Sequence, residues 1–271
     1  DVTLIPDFGQ TVFDNQILNV SPFEVRFNEN RYFFTEGTEL FNKSNLFYSR
    51  RIGDSPSLNL TRKEHEILIE SPTRVQLLNA SKISGRTSKG LGIGFFNSIT
   101  ENTYAILEDT LTGETREELI EPISNYNVLV LDQVLKNNSY ITFTNTNVSR
   151  QGSSRDANVE KLQIQIGTNQ NRYTLYGDIA FSHLLDSIKT HGFASSFQFE
   201  KSTGTFQFSV GQNTESDTYN INDLGFLQNN NQKQQRAKVN YFIFNPVGQL
   251  RKADFELSFT KSMLYNPNLL I

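Results

Sequence analysis

From residue 74 onward, apolar and polar residues alternate one by one in short runs. Leu162, Ile164 and Ile166 interleave with Gln163 and Gln165, and Phe206, Phe208 and Val210 with Gln207, Ser209 and Gly211. Phe255, Leu257 and Phe259 do the same with Asp254, Glu256 and Ser258. A period of two with one apolar and one polar face is the mark of a β-strand. The runs group into five hairpins. Residues 77–87 meet 91–104 across Ser88-Lys89-Gly90, and 125–135 meet 140–149 across Lys136-Asn137-Asn138. Residues 161–168 meet 173–182 across Asn169-Gln170-Asn171, and 193–201 meet 205–212 across Ser202-Thr203-Gly204. The fifth joins 237–245 to 253–262 beyond Pro246-Val247-Gly248. Tight turns of Gly, Asn and Pro are what hairpins require.

Between the hairpins the pattern predicts longer polar connections over 110–122, 150–158, 183–192 and 215–236. The last holds Asn229-Asn230-Asn231-Gln232-Lys233-Gln234-Gln235, a tract too polar to bury. Short turns at one end and long loops at the other are the layout of an outer-membrane barrel, which soluble sandwiches rarely keep through five hairpins. The predicted fold class is therefore all-β: an antiparallel transmembrane (outer-membrane) β-barrel with about ten to twelve strands visible. One strand resists the pattern, because Val128, Leu129, Val130 and Leu131 run together and blur its two faces.

The segment 19–53 is unlike the rest. Phe23, Phe27, Tyr32, Phe33, Phe34, Phe41, Phe47 and Tyr48 mix there with Glu24, Arg26, Glu29, Arg31, Glu36, Glu39, Arg50 and Arg51. Ser21 can cap a helix whose first position suits Pro22, and Glu24 completes the capping box. Too aromatic for a solvated loop and too charged for an ordinary core, the segment has two homes. One is the lumen of a barrel, as a plug containing short helical turns in which the arginines pair with carboxylates and Phe23, Phe27, Phe33, Phe34, Phe41 and Tyr48 pack. The other is a well-packed cap on a soluble sheet. Residues 54–73, with Pro56, His65 and Pro72, read as a polar loop.

Composition narrows the function classes. A net charge of −4 argues against a nucleic-acid partner, which calls for a basic face. The absence of cysteine excludes disulfides, thiolate metal sites and cysteine nucleophiles. No run approaches the ~18 apolar residues of a membrane helix, which leaves a barrel untouched. Without tryptophan, membrane girdles would rest on Tyr and Phe alone. The chain opens at Asp1 with a strand-like run, as a mature or excised piece of something longer does. A single domain over 1–271 is the simplest division.

Three constellations invite chemistry. His183, Asp186 and His191, with Ser182 and Ser187 beside them, could make a hydrolase at a barrel rim, but loop residues at such spacing arise easily by chance, and a solvated loop is the reading favoured here. Glu215, Asp217, Asn220, Asn222 and Asp223 offer oxygens to calcium, yet match no EF-hand and lack its turn glycine. Gly90-Leu91-Gly92-Ile93-Gly94 lacks the strand–turn–helix context of a dinucleotide site and reads as a strand with small inward-facing residues. No catalytic residue, cofactor or metal is assigned on these grounds.

Several segments resemble a known family. "TLIPDFGQ", "LNVSPFEVRFNENRYFFTEGTELF" and "LFYSRRIG", with "NASKISGRTSKGLGIGFFNSIT", "NYNVLVLDQVLKNNSYITFTNTNV", "DANV" and "TESDTYNINDLGFLQNNN", are similar to a Bacteroidota outer-membrane β-barrel domain of unknown function. That domain usually follows a module similar to family-9 carbohydrate-binding domains, which is not present in these residues. The resemblance implies export, a place in the bacterial outer membrane with its lipid bilayer as surroundings, and a lumenal segment after the first strand. It implies no activity. The expected function is a non-enzymatic structural or accessory subunit of a cell-envelope complex, with other outer-membrane or envelope proteins as partners. The alternatives are a glycan or nutrient uptake barrel with a movable plug, in which carbohydrate is the ligand, and a carbohydrate-related or rim hydrolase.

Overall fold

The structure, a computed structural model, describes residues 2–5, 20, 24–35, 37–245, 248 and 251–270. Among them, strand β1 (Val2–Ile5) precedes the four-residue helix α1 (Tyr32–Thr35) and a 3-10 turn at Ser49–Arg51. Then come β2 (Glu66–Glu70), β3 (Leu77–Arg86), β4 (Leu91–Thr100), β5 (Thr103–Asp109), β6 (Thr115–Glu121) and β7 (Ser124–Val134). β8 (Tyr140–Arg150), β9 (Asp156–Gly167), β10 (Tyr173–Leu185) and β11 (Thr190–Lys201) follow. The last are β12 (Phe206–Glu215), β13 (Gln232–Ile243) and β14 (Ala253–Leu264).

The protein is all-β and antiparallel, built as two sheets. The larger runs β1-β3-β4-β7-β8-β9-β10-β11-β12-β13-β14, and the smaller is β2-β5-β6. Among the described residues the larger sheet does not close: β1 and β14 each have one neighbour. All five predicted hairpins are present. Their turns use left-handed backbone at Gly90, Asn137, Asn138, Gln170, Asn171 and Gly204, which Gly and Asn adopt at least cost.

The connections at the opposite end are shorter than the sequence predicts. Strand β6 occupies most of 110–122, and β2 occupies part of the expected loop 54–73; together with β5 they form the second sheet. The loop predicted over 183–192 shrinks to 186–189, and that over 150–158 to 151–155. Strand β13 begins inside the polar tract, at Gln232. In these stretches apolar and polar residues share each face, as Ile67, Leu68 and Ile69 do between Glu66 and Glu70, or both faces are polar, as at the start of β13, so the strands pair through backbone hydrogen bonds without a clean apolar period. The capping signal at Ser21 and Pro22 lies outside the described residues.

The register divides the larger sheet into two faces. One is packed. Phe33, Phe34, Leu40, Phe41 and Ile52 bury themselves there against Ala80, Phe96, Tyr126, Val128, Val130 and Val148. Leu46 joins Val159, Ala180, Tyr219 and Ile221 in a second cluster, so the connection after β12 also folds onto this face. The other face is bare and apolar: Ile83, Phe95, Leu131, Leu162, Ile179, Phe197, Val210, Val239, Leu257 and Phe259 are each at least 37% exposed. Cross-strand pairs such as Ile83↔Phe95, Leu162↔Ile179 and Val239↔Leu257 make it one continuous surface. This explains the Val128–Leu131 run. Val128 and Val130 point to the packed face and Leu131 to the bare one, and both are apolar.

Candidate functional site

The feature that sets the molecule apart is the packed segment and the polar groups that fasten it. Gly92 and Gly94 let it approach β4, since a Cβ would sit 2.8 Å from Leu40 Cδ2 at the first and 3.2 Å from the Phe41 ring at the second. Their inward placement matches the sequence reading. Gly94→Leu should therefore displace Phe41 and loosen the segment by about 1–3 kcal/mol, the usual cost of overpacking. Limited proteolysis between residues 24 and 53 checks this, with faster cleavage expected.

The predicted charges divide into separate groups instead of one network. Arg31 grips Glu29 with Nε at 2.9 Å and Nη2 at 2.8 Å, donates to the carbonyls of Ile52 and Ser49, and lies 4.2 Å over the Phe34 ring. Burial alone would raise the Glu29 carboxyl, but Arg31 and the Ser49 hydroxyl outweigh it and hold it below the usual carboxylate range. Arg51 holds Glu24 through two bonds of 2.7 and 2.8 Å and donates to the Gly225 carbonyl. Glu24 is half exposed, so Arg51→Ala should cost only ~1 kcal/mol in thermal unfolding, far less than a buried pair. Arg50 donates to the Asn28 carbonyl, and Arg26 stands over the rings of Tyr48 and Phe226. Glu39 is exposed, 3.5 Å from Arg86. Among the aromatics, Phe33, Phe34, Phe41 and Tyr48 are buried, and the Tyr48 hydroxyl accepts from the Phe27 N–H and donates to its carbonyl. Phe23 and Glu36 lie outside the described residues.

The strongest fastenings come from residues outside the charge network predicted for 19–53. Asp132 of β7, fully buried, accepts from Lys43 Nζ at 2.8 Å, Arg86 Nη2 at 2.6 Å and the Thr142 hydroxyl at 2.6 Å. Lys82 Nζ donates to the Phe33 carbonyl at 2.5 Å. On the far side, buried Asp223 binds Arg150 and Arg155, each at 2.9 Å. The Tyr48 N–H donates to the Leu224 carbonyl, which joins the segment to the same loop. Asp178 takes Lys161 at 3.3 Å, the Tyr176 hydroxyl at 2.6 Å and the Ser196 hydroxyl.

The hydrolase constellation is not brought together. His183 and His191 sit opposite each other in β10 and β11, with Nδ1 atoms 2.8 Å apart and Glu160 3.4 Å from His183 Nε2. Ser182 faces the packed side, buried, with its hydroxyl on the Asn220 N–H, while Asp186 is bonded to Ser187. Strand alternation forces this separation, which the loop reading could not see. The oxygens considered for calcium are bonded elsewhere: Asp223 to two arginines, Asn222 to the Leu227 N–H, Asp217 to Asn266, Glu215 to Gln232. Among the described residues no group of three His, Asp or Glu gathers to hold a metal.

In the smaller sheet, Arg116 bridges Glu66 at 2.7 Å and also Glu118. The Arg116 bonds and the Lys63 N–H pull the Glu66 pKa down from 4.5 to about 2. A carboxyl whose folded pKa is depressed contributes stability that is complete above its unfolded pKa and disappears as pH falls through the folded one. Amide protection factors in β2 and β5, taken relative to the intrinsic exchange rate at each pH, should therefore fall between pH 4.5 and about 2, and Glu66→Gln should flatten that dependence.

Fold and site define an all-β protein whose wide antiparallel sheet carries a charge-fastened N-terminal segment on one face. The chain belongs to the family described as Domain of unknown function (DUF5916), whose model matches residues 1–271. No curated protein and no solved structure matches it.

Proposed function

We propose that the larger sheet is the wall of an outer-membrane β-barrel, filled by residues 27–52, and that the protein is a non-enzymatic structural or accessory subunit of a bacterial cell-envelope complex. One observation carries this reading: a continuous apolar face of the sheet is left bare, while the packed face mixes an apolar cluster with charged and amide side chains. A water-soluble sheet buries its apolar face, whereas here the apolar face is bare and the other carries Asp132, Lys161, Asp178, Gln198, Asn213, Arg236 and Lys238.

Strand length agrees. β3, β4 and β7 to β14 have 10 to 13 residues, enough for tilted spans of the hydrocarbon core. Aromatics also cluster on the bare face near the short turns, where Phe206, Tyr241 and Phe255 are cross-strand neighbours and Tyr173 stacks on Phe199. Such girdles mark the membrane interface. No helix of the described residues is long and apolar enough to cross a membrane.

A filling fastened by Asp132, Lys82 and Arg51 favours a fixed scaffold over a moving gate. Uptake is the second reading, favoured by the amides Gln198, Asn213 and Gln234 and the ion pair Lys238–Glu256 along β11 to β14, which share the face opposite the bare one as a lining suited to water. Gentle detergent extraction of the full-length protein from its envelope, with heated and unheated gel mobility beside it, tests both. Heat-modifiable migration with partners in constant ratio supports the accessory subunit. Heat-modifiable migration alone, with sugar-dependent conductance after reconstitution, supports uptake. Recovery in the soluble periplasmic fraction removes the membrane reading.

A further inference from the structure

The three-stranded sheet β2-β5-β6 has two unlike faces. Pairing puts Glu66, Leu68, Leu107 and Arg116 on one side, where Leu107 is fully buried and Arg116 is bonded to Glu66 and Glu118. On the other side Ile67 pairs with Glu108, Ile106 with Glu117 and Glu70, and Tyr104 with Leu119. Ile67, Tyr104 and Leu119 are 47%, 41% and 37% exposed. Among the described residues, no Lys or Arg forms an ion pair with Glu70, Glu108 or Glu117, and their strand partners on this face are uncharged or acidic.

The charge around it is lopsided. Residues 54–74 and 101–122 hold eleven Asp and Glu against four Arg and Lys, a net −7 in a chain whose total is −4, so the remaining residues carry +3. Three occupants can be weighed. Hydrocarbon does not accept a face with three unpaired carboxylates, and an anionic headgroup surface repels it. A second copy would bring the same −7 against itself. A protein surface with lysines and arginines around an apolar centre matches both the exposed side chains and their charge.

We propose that this face is the docking surface for a basic protein partner, which inserts apolar side chains against Ile67, Tyr104, Ile106 and Leu119 while its cations meet Glu70, Glu108 and Glu117. The proposal rests on the accessory-subunit reading for the existence of a partner, and it is independent of whether the larger sheet closes into a barrel.

Photo-cross-linking in cells with the full-length protein tests it. A benzophenone side chain placed at Leu119 should give one discrete adduct, and the cross-linked partner peptide identified by mass spectrometry should be rich in Lys and Arg. The same group at Leu68, equally exposed at 37% but on the opposite side, should give none. Glu108→Gln with Glu117→Gln should lower the Leu119 adduct about tenfold or more, as should raised salt. No adduct, an adduct with the mass of two copies, equal yields from Leu68, or a yield indifferent to the two Gln substitutions would overturn the proposal. Heat-modifiable mobility of the same samples reports on the barrel separately, so loss of one does not mimic loss of the other.

Discussion

Asp132→Ala should destabilise the protein by about 3–5 kcal/mol, the usual cost of breaking a buried charge network by removing one member. Among the described residues Asp132 is the one carboxylate that answers both Lys43 and Arg86 at hydrogen-bond distance, and it is fully buried. Removing it leaves two cations and the Thr142 hydroxyl facing a cavity near the short-turn end of the packed face. The loss reaches beyond β7, because Lys43 belongs to the packed segment and Arg86 to the end of β3. Two readouts are expected to move together: the temperature at which the protein loses its compact gel mobility should drop, and residues 38–46 should become open to protease. A triple replacement of Lys43, Arg86 and Asp132 by apolar residues of similar volume should recover much of the stability, since the network as a whole roughly balances its own desolvation. If Asp132→Ala leaves both readouts unchanged, the segment is held by its aromatic side chains alone. The movable-plug reading would then gain over the fixed scaffold.

The same residues show what the sequence could and could not reveal. Alternation located the hairpins from β3 to β14 because strands such as β9 and β12 have one face of each polarity. It missed β2, most of β5, β6 and the ends of β10, β11 and β13, where apolar and polar residues share each face, or both faces are polar, and no clean period stands out. The packed segment announced itself by composition, and four of its predicted aromatics are buried. Its partners did not, because Lys43 and Asp132 are 89 residues apart and each sits in an ordinary local pattern. The connection 215–236 read as polar, with 229–235 too polar to bury, because asparagines and glutamines dominate the count. Yet Tyr219, Ile221, Leu224 and Leu227 stand at close spacing within it, and three of them are buried. That spacing was the available signal. Reading Ser182 and His183 as neighbours in a loop also failed for a simple reason: in a strand, adjacent side chains point to opposite faces.

Ile179→Arg separates a membrane wall from a soluble sheet more sharply than any other single change. Ile179 lies at the middle of β10, on the bare face, 40% exposed, between Leu162 and Ser195 on the neighbouring strands. In water an arginine at such a position stays within ~0.5 kcal/mol of the parent, because its head remains hydrated. At the midplane of a bilayer it costs about 2–4 kcal/mol, which corresponds to a drop of roughly 30- to 900-fold in the folded, inserted population. Ile188→Arg is the matched control. Ile188 is 82% exposed in the turn between β10 and β11, outside the span, where the cost falls to about 0–1 kcal/mol. Refolding both variants into lipid vesicles and following heat-modifiable mobility gives the comparison directly. A large loss for Ile179→Arg with little for Ile188→Arg is the result expected of lipid against the bare face. Equal, near-parental behaviour of both would mean that water covers that face, and the filled side would then be the core of a soluble sheet with an aromatic cap.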